Sequence, residues 1–112
     1  TTKVVRSAEK VNTVTEKMDV AQGKLVAAIC AAPSILAHKG LLAGKNATAF
    51  PSFQKDLQEG GALLSESYVV RDGQFLTARG MGVATQFGLA LVEALVSPEK
   101  AADIRASIQW EA

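Results

Sequence analysis

This chain is poor in several things at once. Its 112 residues include one cysteine, one histidine and three prolines, and aromatic residues make up 5%. A single cysteine excludes an internal disulfide and any multi-cysteine zinc site. The acidic residues show no metal-ligand spacing, so no metal is expected. With aromatics so sparse, a groove that stacks single-stranded nucleic acid has little to be built from. Charge of one sign is lacking too: 12 Lys and Arg face 11 Asp and Glu, for a net charge of +1. These charges are interleaved, so no field favours nucleic acid or an acidic membrane. The longest apolar stretch, residues 25–37, is internal, contains Pro33 and Ser34, and is too short to span a bilayer. No segment reads as a targeting signal, although the chain starts Thr-Thr-Lys rather than with methionine. Neither nucleic acid nor membrane is expected as a partner, and a reducing, cytoplasmic setting is the expectation.

What is present is ordinary for one soluble globular domain: 48% of residues are hydrophobic. The pattern along the chain is α/β. Ser7 suits the cap of a first helix, with Ala8, Val11, Val14, Met18 and Ala21 at helical spacing. Residues 25–29 form a short, continuous apolar run after Gly23, the signature of a buried parallel strand. A short strand is expected at 46–50, stopped by Pro51, and one or two helical turns at 53–58, before Gly60 and Gly61. Strands at 67–70 and 74–78 flank Arg71, Asp72 and Gly73, whose Asp-Gly pair signals a hairpin turn. A helix follows from about residue 83 to 95, carrying Phe87, Ala90, Leu91, Ala94 and Leu95. Ser97 and Pro98 open a last helix, serine as cap and proline at its first position. This yields only three or four strands, two of them a hairpin, with helices outnumbering the strands they cover. The strand at 25–29 is expected to lack a neighbour.

The most informative stretch is residues 23–42, GKLVAAICAAPSILAHKGLL, where the only cysteine stands between strand and helix. Pro33 falls where a first helical turn tolerates it, and Gly40 suits a left-handed cap. Strand, sharp turn, nucleophile-type side chain and helix make up the elbow that lifts a reactive atom clear of a sheet. The elbow also puts the sulfur at the positive end of a helix dipole, a position that favours thiolate. On residues alone the alternative stands beside it, because free cysteine often serves as a small buried hydrophobe. His38 is the only in-chain candidate for a Cys–His pair. Eight residues along one helix amount to about 12 Å of rise, so His38 reads instead as a structural residue that suits the carbonyl end of the helix. Arg79, Gly80, Met81 and Gly82 follow a strand and precede a helix. A lone G-x-G is weak evidence for phosphate, since the third glycine and the acidic ribose partner are missing. Asp72 reads as a turn residue, and a solvated Arg79 is as compatible with the sequence as a binding role.

The 23–42 stretch resembles the nucleophile elbow of the DJ-one/ThiJ/PfpI superfamily, in its Parkinson-disease-protein and deglycase-like branch. The resemblance continues in family order through GKNATAFPSF, VVRDGQFLTARGMG and FGLALVEAL. It implies a flavodoxin-like α/β fold, a parallel-sheet sandwich with helices on both faces and a β-hairpin. It also implies that residues 1–112 match the C-terminal portion of a single such domain. In the family the preceding portion supplies the first βαβ units, a glutamate that pairs with the cysteine, and a glycine turn of the oxyanion site.

Carried onto this sequence, the resemblance makes Cys30 the catalytic nucleophile and the backbone N–H of Ala31 an oxyanion donor. Phe50, Gly80 and Met81 become pocket residues, and Arg79 a contact for an anion or for a dimer partner. Some relatives place a histidine just before the proline where this chain has Phe50 before Pro51, and many carry proline at the position of Met81. The missing histidine weakens a peptidase reading. The implied activity is cofactor-independent conversion of small reactive dicarbonyls to hydroxy acids, or removal of early glycation adducts from proteins, in a homodimer. A redox-sensing chaperone acting through Cys30 oxidation is the alternative, and a cysteine peptidase or amidase the third.

Overall fold

The computed structural model describes residues 2–5, as backbone, and residues 20–110. The helix expected from Ser7 to Ala21 lies almost wholly outside the described residues. Among those described, the strands are β1 (Thr2–Val5), β2 (Leu25–Ile29), β3 (Asn46–Ala47), β4 (Leu63–Leu64), β5 (Val69–Asp72) and β6 (Phe75–Ala78). The helices are α1 (Pro33–His38), α2 (Gln54–Glu59), α3 (Ala84–Leu95) and α4 (Pro98–Ser107), with single 3-10 turns at Pro51–Phe53 and Met81–Val83.

The main sheet runs in the order β1-β2-β6-β5. The first three strands are parallel, and β5 closes the edge antiparallel to β6. The short β3 and β4 pair in parallel beside it. Two expectations are corrected here. β2 does not lack a neighbour: Thr2–Val5 pairs along it on one side and β6 on the other. Thr-Lys-Val-Val has no turn signal beside it of the kind that marks 67–70 and 74–78 as strands. The strand expected over 46–50 is only two residues long, because Thr48 gives its N–H to the Thr77 side chain rather than to a neighbouring strand.

Alternation along β2 and β6 sorts their side chains to two faces. Val26, Ala28 and Phe75 join Leu36, Leu42 and Leu57 in a core under α1 and α2. Ala27, Leu76 and Ala78 meet Phe87 of α3 on the other face, with Leu25, Ile29, Val83 and Leu91 around them. Both faces of the central strands are therefore covered, which is why β2 reads as an unbroken apolar run.

The ends of the helices follow from single residues. Gly40, just past α1, has φ +74°, a conformation open to glycine at no steric cost. Gly60 ends α2 against the end of α1: a Cβ there would sit 2.6 Å from the Ala37 carbonyl oxygen. The Ser97 hydroxyl accepts the Lys100 N–H at 3.0 Å, and Pro98 starts α4. The hairpin loop is Gly73 and Gln74, so Asp72 is the last residue of β5 rather than part of the turn. Asp72 reaches across to β3 instead, accepting the Asn46 backbone N–H at 2.7 Å and its side-chain amide at 3.1 Å.

Candidate active site

β2 and β6 are parallel neighbours, so their carboxyl ends open on the same edge of the sheet, where ligands of α/β folds bind. Cys30 directly follows β2, and Arg79 directly follows β6. Cys30 has φ +65°, a left-handed conformation that costs a non-glycine residue on the order of 1–3 kcal/mol. Its neighbours hold it there from both sides. The Cys30 N–H donates to the Ala78 carbonyl at 2.9 Å, extending the β2–β6 ladder by one rung. Its carbonyl accepts the Phe50 N–H at 2.8 Å. The sulfur is free of any disulfide, and the residue is partly exposed.

The turn after Cys30 is tight. Ala32 donates to the Ile29 carbonyl at 3.2 Å, and the buried Ser34 hydroxyl donates to the Ala31 carbonyl at 2.7 Å. The N–H of Ala31, the next residue after Cys30, makes no hydrogen bond to another described residue, and such a backbone donor can hold an incoming oxygen. α1 itself has only six residues, about 9 Å of helix, and begins two residues beyond Ala31. The donor next to Cys30 is thus a turn amide rather than a helical one.

His38 does not face this site. Its exposed ring Nε2 lies 3.4 Å from Asp56 Oδ1 on α2.

Phe50, Arg79, Gly80 and Met81 line one open cavity of about 420 Å³ together with Pro51, Tyr68, Gly82 and Val83. Cys30 is not among its lining residues. The cavity abuts the elbow through Phe50, whose N–H is bonded to Cys30, and through Gly80, where a Cβ would stand 3.4 Å from the Phe50 ring. Met81 is 89% exposed and Phe50 44%, so both are cavity wall and neither is core. A second cavity of about 410 Å³ lies among β5, α3 and α4, with no residue of the elbow in its lining.

Arg79 is half-buried, and several neighbours hold its guanidinium. Its Nε donates to the Thr48 hydroxyl at 3.2 Å, and its Nη2 donates to the Glu66 carbonyl at 2.9 Å and the Ser65 carbonyl at 3.5 Å. The guanidinium lies 4.4 Å from the centroid of the Tyr68 ring. Thr48 is fully buried and donates its N–H to the equally enclosed Thr77 hydroxyl. This network ties the 65–68 loop and the segment leading to Phe50 onto the end of β6.

Sequence reasoning missed Thr48, Thr77 and Tyr68. The signal for Tyr68 was present: counting the hairpin register outward from its two-residue loop sets Tyr68 opposite Arg79, where its carbonyl accepts the Arg79 N–H at 3.0 Å. Thr48 and Thr77 carried no signal, since they meet only in three dimensions.

Among the described residues, no group of three or more His, Cys, Asp or Glu side chains is placed to hold a metal ion. No helix among them is long and apolar enough to cross a membrane.

Comparison with known proteins places this arrangement. The chain is 40% identical over 82 residues to Protein dj-1beta of Drosophila melanogaster, covering 73% of this chain and 44% of that protein. It is 36% identical over 84 residues to the glutathione-independent glyoxalase DJR-1.2 of Caenorhabditis elegans, covering 75% of this chain and 45% of that protein. The structure of oxidized Toxoplasma gondii DJ-1 superposes with a TM-score of 0.80 at 36% identity, over 89% of this chain and 54% of that one. The chain spans about half the length of these relatives, and its fold is the flavodoxin-like α/β fold of theirs. A sequence model of the DJ-1/PfpI family matches residues 1–94, and the chain belongs to the DJ-1/PfpI family.

Proposed function

We propose that this chain carries the nucleophile of a cofactor-independent enzyme that converts reactive dicarbonyls to hydroxy acids, acting in carbonyl or oxidative stress. The observation that carries this reading is the left-handed Cys30 just past β2, held by Ala78 and Phe50 and followed by an Ala31 N–H that is unbonded among the described residues. The kinship with a glutathione-independent glyoxalase supports it.

In this reading the Cys30 thiolate adds to the aldehyde carbon of methylglyoxal, forming a C–S bond and an oxyanion that accepts the Ala31 N–H. A carboxyl group, supplied from outside the described residues, moves the aldehyde proton to the neighbouring ketone carbon. The aldehyde carbon is oxidised to a thioester and the ketone is reduced to an alcohol. Water then breaks the C–S bond and releases lactate and the thiol. No external oxidant or reductant is consumed. Attack on an aldehyde has no leaving amine to protonate, so the absence of a histidine beside Cys30 among the described residues weighs against peptide hydrolysis and not against this reaction.

The test is lactate formation from methylglyoxal without glutathione or metal, set against Cys30→Ser at matched protein concentration. Lactate is the readout because any thiol reversibly scavenges the aldehyde. Lactate well above the variant's background supports the reading. Lactate equal to that background, or casein cleavage that depends on Cys30, overturns it.

The redox-sensing chaperone is the second reading. An exposed apolar surface beside a strained cysteine favours it, and it predicts client binding that changes on Cys30 oxidation. A homodimer belongs to the same proposal.

A further inference from the structure

Two consecutive residues of β6 hold Cys30 from both sides, one directly and one at a distance. The Cys30 N–H donates to the Ala78 carbonyl at 2.9 Å. The Cys30 carbonyl accepts the Phe50 N–H at 2.8 Å, and Phe50 stands on a segment that is itself tied to β6. Two residues before Phe50, the Thr48 N–H donates at 3.0 Å to the hydroxyl of Thr77, the residue before Ala78. A closed ring results, running from Cys30 through Ala78 and Thr77 to Thr48, Ala49 and Phe50 and back to Cys30. The side-chain link in it is enclosed: Thr48 is 0% exposed and Thr77 1%, so water hardly competes for their bond. Peptide units are planar, and no cis bond occurs among the described residues. In the trans unit that joins Cys30 to Ala31, the carbonyl and the N–H point in opposite directions. The bond that fixes the Cys30 carbonyl therefore fixes the direction of the Ala31 N–H as well.

We infer that Thr77 is a positioning residue for the oxyanion donor: its hydroxyl holds the Thr48 N–H, this sets the Phe50 N–H, and that bond sets the plane of the Cys30–Ala31 peptide. The inference rests on the proposed reaction, in which the Ala31 N–H receives the oxyanion. Thr77 acts through backbone and not on the substrate. Losing an oxyanion donor costs about 10²–10³ in kcat, and a donor turned out of line forfeits part of that. The Arg79 Nε also bonds the Thr48 hydroxyl, but Arg79 holds the 65–68 loop besides. Thr77 is therefore the cleaner residue to change.

The test compares Thr77→Val, which keeps the shape of the side chain and removes the acceptor, with Thr77→Ser, which keeps the acceptor. In Thr77→Val, kcat for lactate formation from methylglyoxal is expected to fall about tenfold or more, with KM changed by less than about threefold. Thr77→Ser is expected to keep kcat within about threefold of the parent. Iodoacetamide separates alignment from general damage. The Cys30 sulfur displaces iodide at a saturated carbon and no oxyanion forms, so alkylation by Thr77→Val is expected to stay within about twofold of the parent rate. An unaltered kcat in Thr77→Val overturns the inference, and so does a loss that Thr77→Ser shares or that slower alkylation matches. Amide hydrogen exchange of the parent protein needs neither turnover nor substitution, and it decides alone should Thr77→Val fail to fold. The Phe50 N–H is expected to be protected to within about tenfold of the Thr48 N–H. Phe50 less protected than Thr48 by more than that overturns the inference, because the anchor then does not restrain it. A parent protein that forms no lactate refutes the proposed reaction, and the exchange measurement still decides whether Thr77 holds the Cys30 peptide.

Discussion

The sheet turns its chain through a left-handed residue at both of its ends, and the two ends use different residues for it. At the hairpin end Gly73 has φ +60°, and at the opposite edge Cys30 has φ +65°. Glycine reaches that region without steric penalty, whereas a side chain there costs roughly 1–2 kcal/mol. The hairpin end is a joint, built to be stable: Gly73 makes the turn, and Asp72 anchors it to Asn46. The Cys30 end bears strain that the Ala78 and Phe50 backbone bonds hold in place. In the function proposed above, a residue kept in an unfavourable conformation by its neighbours at the carboxyl end of parallel strands serves a site rather than a joint.

Substitutions at the two ends should therefore differ in kind. The largest effect is expected in activity. Cys30→Ser should lower lactate formation at least a hundredfold while leaving the denaturation midpoint close to that of the parent, because the backbone bonds of residue 30 do not depend on the sulfur. Loss of activity accompanied by a collapsed midpoint would instead make Cys30 a structural residue.

Gly73→Ala should do the reverse. It should lower stability by about 1–2 kcal/mol in urea unfolding and leave kcat within about twofold once the protein is folded. No methyl clash is involved, since nothing lies within 4 Å of a Cβ built there, so the loss would report conformation alone.

The smallest effect concerns Asp72. The Asn46 backbone N–H holds its carboxyl below the ordinary value of 3.8, against an upward push from burial, with help from the Asn46 side-chain amide and the Lys45 charge. A folded-state value below the unfolded one gives stability that is present above pH 3.8 and lost as pH falls through the folded value. Asp72→Asn keeps an acceptor oxygen and removes the charge. It should therefore weaken the part of acid unfolding that begins near pH 3.8, read by circular dichroism across an acid titration. An unaltered acid profile would remove Asp72 from the hairpin anchor.

The same contrast explains what could be read without a structure. The elbow was legible because its signals are local: an apolar run, Cys30, Pro33 and Gly40 follow one another within 16 residues. The hairpin and the Ser97 cap were legible for the same reason. What escaped was long-range. β1 has four residues and becomes a strand only against β2. Thr48, just past β3, is 29 residues from Thr77 of β6, and nothing in the spacing of a threonine announces that its hydroxyl will receive a distant N–H. Asp-Gly signals a turn, and nothing in the sequence signals the bond that Asp72 accepts from Asn46, 26 residues away. Phe50, Gly80 and Met81 were grouped by family resemblance, and Tyr68 joined them only through hairpin register.

The central claim is that residue 30 is held in a left-handed conformation for the sake of its side chain. Chemical denaturation of Cys30→Gly against Cys30→Ala tests it most directly, because neither variant has a thiol and only backbone preference separates them. At an ordinary position glycine is the less stable of the two by roughly 0.5–1 kcal/mol. Here Cys30→Gly should be the more stable, by about 1 kcal/mol. Cys30→Ala equal to or more stable than Cys30→Gly would contradict the account.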